Sequence, residues 1–333
     1  MGKLDTENLK KLLSCIKKDS RVIVPPLPGF DSGVHLLDDK YLVVSTDPCI
    51  GVPEKWFGWL LIHYAASDVA LFGAKPEFCT INLLGTLSTK VETLQEVMRQ
   101  ACKAAEELEV AIVTGHTGTY EGLSTLVGVC TSYGTVAKEK LITPNGAKQG
   151  DYILCTKSIG LETAVNFALT HNALSQKLFG AKRTRELAEL VYMQSCIKES
   201  LLLAKMGGVH AMHDTTEGGL TAALNEMAET SKLGFKIDLE KIPICKEAQA
   251  LQKWFRLSDE QTLSMSSTGT ILAAISPEAK NRVEKEFCKI NVKANFLGIF
   301  TKDMRYILMK DGKETAFPKK AEDPYERILS GKL

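Results

Sequence analysis

Five short segments of this 333-residue chain join an acid or a histidine to small and hydroxylated residues. They are Gly29-Phe30-Asp31-Ser32-Gly33, Ser45-Thr46-Asp47-Pro48, Ser67-Asp68-Val69, Gly115-His116-Thr117 and His213-Asp214-Thr215-Thr216-Glu217-Gly218-Gly219. Carboxylates with few local bases suit Mg²⁺, a hard cation that takes oxygen ligands, keeps waters and bridges to phosphates. Asp31, Asp47 and Asp68 are the natural candidates for that role. Small residues beside them let backbone N–H groups approach phosphate oxygens without a side-chain clash. The last segment precedes the amphipathic run Leu220 to Ala228, so it reads as a loop opening a helix whose free N–H groups and dipole can hold an anion. Each segment also has a plainer reading: Asp is the usual turn residue, and Thr215 or Thr216 would simply cap the helix.

The elements that would position these residues are α+β in both halves. Leu9, Leu12, Leu13 and Ile16 share one face of a helix expected from about Thr6 to Lys18. Tyr41 to Thr46 reads as a buried strand that delivers Asp47 at its end. Trp59 to Phe72 reads as a mostly buried helix with Asp68 as its only charge, and Thr93 to Glu109 as an amphipathic, structural helix. Val110 to Thr114 reads as a strand leading into Gly115-His116-Thr117-Gly118, and Thr125 to Val136 as a longer alternating strand. A polar turn at 147–151 precedes the strand Tyr152 to Thr156 and marks the expected boundary between a domain at 1–150 and another at 151–333. Beyond it, helices are expected at Leu161 to Thr170, Arg183 to Met206 and Gly219 to Ser231, with strands near Phe235 to Asp238, Gly269 to Ile275 and Tyr306 to Met309.

Composition narrows the partners. Forty-one Lys and Arg against 40 Asp and Glu leave a net charge of +1, so no global field draws the chain to nucleic acid or an anionic membrane. The longest uncharged stretches, Gly122 to Ala137 and Gln261 to Pro277, are interrupted by Gly, Ser and Thr and fall short of a bilayer span. The opening residues lack the apolar core of a signal peptide, which points to the cytoplasm. The nine cysteines are scattered without a Cys-x-x-Cys pair and read as reduced, mostly buried residues. His35, His63, His171, His210 and His213 read as satisfied structural residues; His210 and His213 would share a helical face but lack a third zinc ligand. Trp56, Phe57 and Trp59 read as packing residues.

The common nucleotide, zinc and serine-hydrolase signatures are absent. In its place, Asp31-Ser32-Gly33-Val34, Ser45-Thr46-Asp47, Ala66-Ser67-Asp68-Val69-Ala70 with Gly73-Ala74-Lys75-Pro76, Thr114-Gly115-His116-Thr117 and Asp214-Thr215-Thr216-Glu217-Gly218-Gly219-Leu220 stand in register. Ordered and spaced this way, they resemble the aminoimidazole ribonucleotide synthase (PurM-like) superfamily, and within it the HypE-like hydrogenase-maturation branch with its archaeal members. The resemblance runs over about residues 20 to 310 and includes Ser266-Ser267-Thr268-Gly269-Thr270 and Leu297-Gly298-Ile299. It implies a two-domain fold: an N-terminal ATP-binding domain forming a β-barrel-like dimer core, and a C-terminal α/β sandwich domain. It further implies a homodimer and use of Mg²⁺ and ATP to phosphorylate an amide, carbamoyl or related oxygen. A maturation-type protein partner belongs to the same expectation. Asp31, Asp47 and Asp68 match residues that hold Mg²⁺ and the triphosphate; Gly115, His116, Thr117, Gly218 and Gly219 match nucleotide-binding positions. Asp214 and Thr216 match the loop facing the acceptor and γ-phosphate, with Glu217 as an acceptor-binding group.

The chain departs from the family pattern in two places. His116 stands where most of the family has an acid, and a neutral imidazole prefers softer metals than Mg²⁺, so a hydrogen bond to phosphate or substrate suits it better. The last residues, Tyr325 to Leu333, hold no cysteine for the carbamoyl group that hydrogenase-maturation members carry, so a different acceptor is expected. Selenophosphate synthetases fit less well, because Cys15-Ile16-Lys17 falls in an expected helix and core rather than in a Gly-rich loop. A thiamine-monophosphate kinase is the alternative enzyme, although Glu217-Gly218 stands where such kinases have Asp-Gly. A nucleotide-binding relative without turnover is the alternative of another class, favoured by His116 and the missing cysteine.

Overall fold

The computed structural model describes residue 4 and residues 6–331; the terminal residues 1–3, 5, 332 and 333, read above for targeting and acceptor chemistry, lie outside it. The chain divides into two compact units, one from Leu13 to Leu141, the other from Ile142 onward together with the residues up to Leu12. The first helix, α1 (Thr6–Leu13), stops short of the expected Lys18 and buries none of its residues, so Cys15 lies beyond it, exposed rather than in a core. No helix among the described residues is long and apolar enough to cross a membrane.

The first unit is a six-stranded sheet in the order β1 (Val22–Val24), β2 (Gly33–Leu37), β3 (Lys40–Ile50), β6 (Val127–Ala137), β4 (Phe78–Thr86), β5 (Ala111–Tyr120). All neighbours run antiparallel except β4 and β5. The helix α2 (Phe57–Leu71) buries nearly every residue against β3, β6 and α3 (Val91–Leu108), whose buried Val97, Ala101, Ala104 and Ala105 form the expected amphipathic stripe. The barrel-like closure expected for this half is not present. Among the described residues β1 and β5 end the sheet without a further partner strand, and β5 is exposed along almost its whole length, so the sheet is open. The strand carrying Asp47 is also longer than expected. Its ladder to β6 continues through Ile50, so Asp47 sits inside β3 rather than at its end.

The second unit holds a seven-stranded sheet in the order β13 (Lys313–Ala316), β12 (Tyr306–Lys310), β9 (Gly234–Asp238), β11 (Ala294–Thr301), β7 (Tyr152–Thr156), β10 (Ile271–Ile275), β8 (Val209–Asp214). β7 and β10 are buried on both faces, so they read as unbroken apolar runs. One face packs on α8 (Gly219–Ser231), through Leu220, Leu224 and Met227. α7 (Ile197–Met206), against β8, and α11 (Lys280–Lys289), against β11, pack together. A satellite core of Phe167, Leu251, Phe255 and Ile328 joins α4 (Leu161–Thr170), α9 (Lys246–Phe255) and α12 (Tyr325–Leu329). α5 (Asn172–Phe179), α6 (Ala181–Ala188) and α10 (Asp259–Leu263) complete the unit. The single helix expected from Arg183 to Met206 is broken into α6, a 3₁₀ turn and α7, because Lys157 captures the carbonyls of Met193 and Ser195 at the break.

Candidate functional site

Strand pleating explains the acidic nest of the first unit. Ser45 and Asp47 are two apart on β3 and therefore share one face, the face that α2 covers. From α2, the buried Asp68 reaches the same point. The Ser45 hydroxyl lies 2.9 Å from Asp68 Oδ2, 3.1 Å from Asp47 Oδ2 and 3.1 Å from the Asp31 carbonyl oxygen. One O–H serves a single acceptor at a time, so several oxygens here are left to other donors or to a cation. The donor set is all oxygen, which is the chemistry Mg²⁺ requires. Spacing singled out all three acids; the structure brings the carboxylates of Asp47 and Asp68, and only the main-chain carbonyl of Asp31, to a serine that spacing treated as a neighbour.

The fourth motif of this unit is placed differently from expectation. Gly115, His116 and Thr117 continue β5 instead of forming a loop after it, because the parallel ladder to β4 runs on to Tyr120. All three are exposed, and the His116 imidazole hydrogen-bonds the Tyr120 hydroxyl. Gly115 has a structural reason for its size: a Cβ there would be driven into the Ile81 carbonyl oxygen of β4.

In the second unit, the segment expected as a loop begins as β8, which places His213 and Asp214 on a strand, both buried, beside β10. His210 and His213 therefore point to opposite faces instead of sharing one. The His210 Nδ1 sits 2.8 Å from Asp151 Oδ2. The buried His213 ring lies between the Asp214 carbonyl oxygen, 2.9 Å from Nδ1, and Glu226 Oε2, 3.0 Å from Nε2. After Asp214 the chain turns through the half-buried Thr216 and exposed Glu217 into α8. Neither Thr215 nor Thr216 caps that helix, which starts from Gly218 without a side-chain cap. The Thr215 N–H donates to the Thr270 carbonyl, and the Ser267 N–H to the Thr215 carbonyl. Gly218 and Gly219 both have positive φ, +80° and +54°, and a Cβ on Gly219 would meet the Met265 carbonyl oxygen. Only glycine makes this turn without strain.

Three supports of the turn had no signal in the spacing. The buried Lys157 Nζ donates to the carbonyls of Met193, Ser195 and Gly269 and pairs with Glu199 at 3.0 Å, which pins the 266–270 loop from below. Glu162, buried in the first turn of α4, accepts the Thr268 N–H at 2.9 Å. Burial pushes its carboxyl up to about 7; the hydrogen bonds of Thr268 oppose the rise, and the carboxylates of Asp323 and Glu217 add to it. Asp323, far along the chain, accepts the Gly218 N–H at 2.9 Å. Cys196 lies in the same region, but burial first and the Asp214 charge next push its thiol up to about 12, which leaves it inert as a nucleophile.

Comparison with known proteins finds relatives of this chain. The chain is 26% identical over 286 residues to a protein of Methanocaldococcus jannaschii named for hydrogenase expression/formation, covering 84% of this chain and 82% of that one. It is also 26% identical over 265 residues to carbamoyl dehydratase HypE of Rhizobium leguminosarum, covering 77% and 71%. Its fold matches a hydrogenase maturation protein HypE in complex with ATP, with TM-score 0.71, 18% identity and coverage of 96% and 92%. It matches ThiL complexed with AMPPCP and TMP with TM-score 0.72, 19% identity and coverage of 95% and 94%. Residues 29–136 match the model of the AIR synthase related protein N-terminal domain and residues 148–311 that of its C-terminal domain, so the chain belongs to the AIR synthase related protein family.

Proposed function

We propose that this protein is a HypE-like, ATP-dependent phosphoryl-transfer enzyme that activates an amide, carbamoyl or related oxygen. The observation that carries the reading is the convergence of Asp47 and Asp68 on the Ser45 hydroxyl, next to the Asp31 backbone, in an all-oxygen nest. Asp31, Asp47 and Asp68 would hold Mg²⁺ there. The bound ion would neutralise charge on the triphosphate, the chief need of a reaction in which the protein does little covalent work. Asp214, placed by β8, and Thr216 and Glu217 in the turn would orient the acceptor, while Gly218 and Gly219 open α8 toward an anion. His116 and Thr117 on exposed β5 would meet the nucleotide by hydrogen bonding, with Gly115 keeping the strand in register.

In this reading, residues 1–150 bind ATP and dimerise, and residues 151–333 carry the acceptor loop. The homodimer draws support from the open sheet edge at β5, where Val113 and Tyr120 are exposed. The carbamoyl acceptor and a maturation-type partner draw support from the names of the relatives above, and the cytoplasm from the expectation of soluble small-molecule chemistry. A thiamine-monophosphate kinase-like activity is the second reading, favoured by the equally close fold of ThiL.

The test is calorimetric titration of Mg²⁺·ATP into the wild type and Asp47→Asn, followed by analysis for ADP, AMP and phosphate with amide, carbamoyl and thiamine-monophosphate acceptors. Binding that is lost in Asp47→Asn, with product formed on an amide or carbamoyl acceptor, is the expected result. Transfer to thiamine monophosphate selects the second reading; binding without turnover on any acceptor selects a nucleotide-binding relative; no binding by the wild type overturns the proposal.

A further inference from the structure

We propose that the segment 318–323 is a strap whose Asp323 occupies the anion-binding end of α8, so that a phosphate group reaches Gly218 and Ser266 only by displacing it. The inference rests on the reading that this turn meets a phosphoryl group, and adds to it how access is controlled.

The start of a helix presents free N–H groups and a positive partial charge, and a carboxylate or a phosphate satisfies both in the same way. Here the position is taken by a carboxylate from about a hundred residues further along. Asp323 Oδ2 accepts the Gly218 N–H at 2.9 Å and the Ser266 hydroxyl at 2.6 Å; Oδ1 accepts the Tyr325 N–H at 2.9 Å and the Ser266 N–H at 3.4 Å. Two main-chain amides and a hydroxyl from the α8 turn and the 266–270 loop, converging on one carboxylate, are the donor set a phosphate would use.

The strap is anchored at both ends and thinly held between them. Phe317 is buried in the main core, while Pro324 and Ile328 are buried on the far side, where Ile328 joins the satellite core. Between these anchors Lys319, Lys320, Glu322 and Asp323 are exposed. The span is clipped by Asn225, whose Nδ2 donates to the Pro318 carbonyl, and by Ala321, which lies over Gly218 so closely that a Cβ on that glycine would crowd it. Among the described residues no lysine or arginine pairs with Asp323, and its charge lies near the buried Glu162. A carboxylate held by neutral donors beside a buried acid is a replaceable occupant, and a phosphate carrying its own Mg²⁺ would bring compensating charge that Asp323 lacks.

The experiment compares wild type, Asp323→Ala and Asp323→Asn in the full chain. Inorganic phosphate and Mg²⁺·ATP are titrated separately by calorimetry, and amide exchange is followed at Gly218 and Ser266. Asp323→Ala is expected to bind inorganic phosphate at least about tenfold more tightly than wild type, with exchange at both amides faster in its absence and slowed again in its presence. Asp323→Asn, which keeps one carbonyl acceptor and loses the charge, is expected to fall between the two. Phosphate affinity unchanged or weaker in a folded Asp323→Ala overturns the strap and leaves Asp323 as a structural cap. Should that variant fail to fold, Asp323→Asn decides, and unchanged affinity there is equally fatal. Tighter phosphate with no ATP binding in any variant keeps the strap and removes the ATP reading. ATP binding in all three, with phosphate affinity unchanged among them, keeps the ATP reading and removes the strap.

Discussion

The acidic nest of β3 and α2 and the β8–α8 turn are built on opposite principles. In the nest the backbone is regular, and side chains do the converging: two residues of one pleated face and one residue of a buried helix meet at Ser45. In the turn the backbone does the converging, through two left-handed glycines and main-chain bonds from Thr215 to Ser267 and Thr270, with Lys157, Glu162 and Asp323 brought from distant positions to hold it. A side-chain site on regular elements tolerates variation around it but loses function when one ligand changes. A backbone site depends on every segment that holds the loop.

The sharpest way to break this contrast is to change one acid in each region. If Asp68 holds Mg²⁺ as proposed, Asp68→Asn should lower Mg²⁺·ATP affinity by about a hundredfold or more, because a carboxylate would be lost from the place where charge must be neutralised. Asp214→Asn should lower turnover about a thousandfold while leaving that affinity within about threefold, as expected of a group used mainly in the transition state. Calorimetry and single-turnover assays on both variants check this pair. Loss of binding in Asp214→Asn would show that the two regions do not divide the work.

The next effect is on stability and concerns glycines. Gly115→Ala should cost about 3 kcal/mol in denaturant unfolding, because the new Cβ meets backbone of the neighbouring strand, which cannot move aside. Gly122→Ala has open space around it and only the penalty of its positive φ, so about 1 kcal/mol is expected. Equal costs at the two positions would remove the packing account of Gly115 and return it to phosphate binding.

These regions also differ in how far the sequence discloses them. Period-2 and period-3.6 patterns place β7, α2, α3, α4 and α8 closely, and they set Asp47 by a strand and Asp68 on a helix, whereas Asp31, in the bend before β2, is marked only by its motif. The patterns fail where tertiary contacts override local preference. β8 went unread because its apolar residues are broken by His210 and His213, whose polarity is satisfied by Asp151 and Glu226. The helix across 183–206 breaks because Lys157 takes the carbonyls a continuous helix would use. The open edge at β5 follows from pairing order, which no single strand encodes. Lys157, Glu162 and Asp323 carry no local mark at all; only the fold gives them a partner.

A smaller effect sharpens the picture of the turn. The Glu162 carboxyl rises from 4.5 to about 7 on folding, chiefly through burial. A raised carboxyl pKa means that the folded state binds the proton more tightly than the unfolded state. No penalty is present below about pH 4.5; the penalty grows as pH rises and is full above about 7. Glu162→Gln keeps an acceptor for the Thr268 N–H and cannot ionise, so it should be more stable than wild type by about 2 to 3 kcal/mol at pH 8 and equal to it at pH 4. Urea unfolding at the two pH values checks the sign. A loss of stability at pH 8 would mean that the ionised carboxylate is itself needed by the turn.

The smallest expected effect tests whether the nest is made for a cation. Ser45→Ala removes a buried hydroxyl that spans three acceptors but can donate to one, so it should cost about 1 kcal/mol in metal-free buffer. If the nest is a metal site, Mg²⁺ stabilises both proteins by mass action, and the deficit should shrink as Mg²⁺ is raised, because the variant's carboxylates have lost a competing donor and bind the ion more tightly. If the carboxylates serve only to tie β3 to α2, the deficit should stay constant at every Mg²⁺ concentration. Thermal unfolding of wild type and Ser45→Ala across a Mg²⁺ series separates the two, and it does so without reference to any acceptor or turnover.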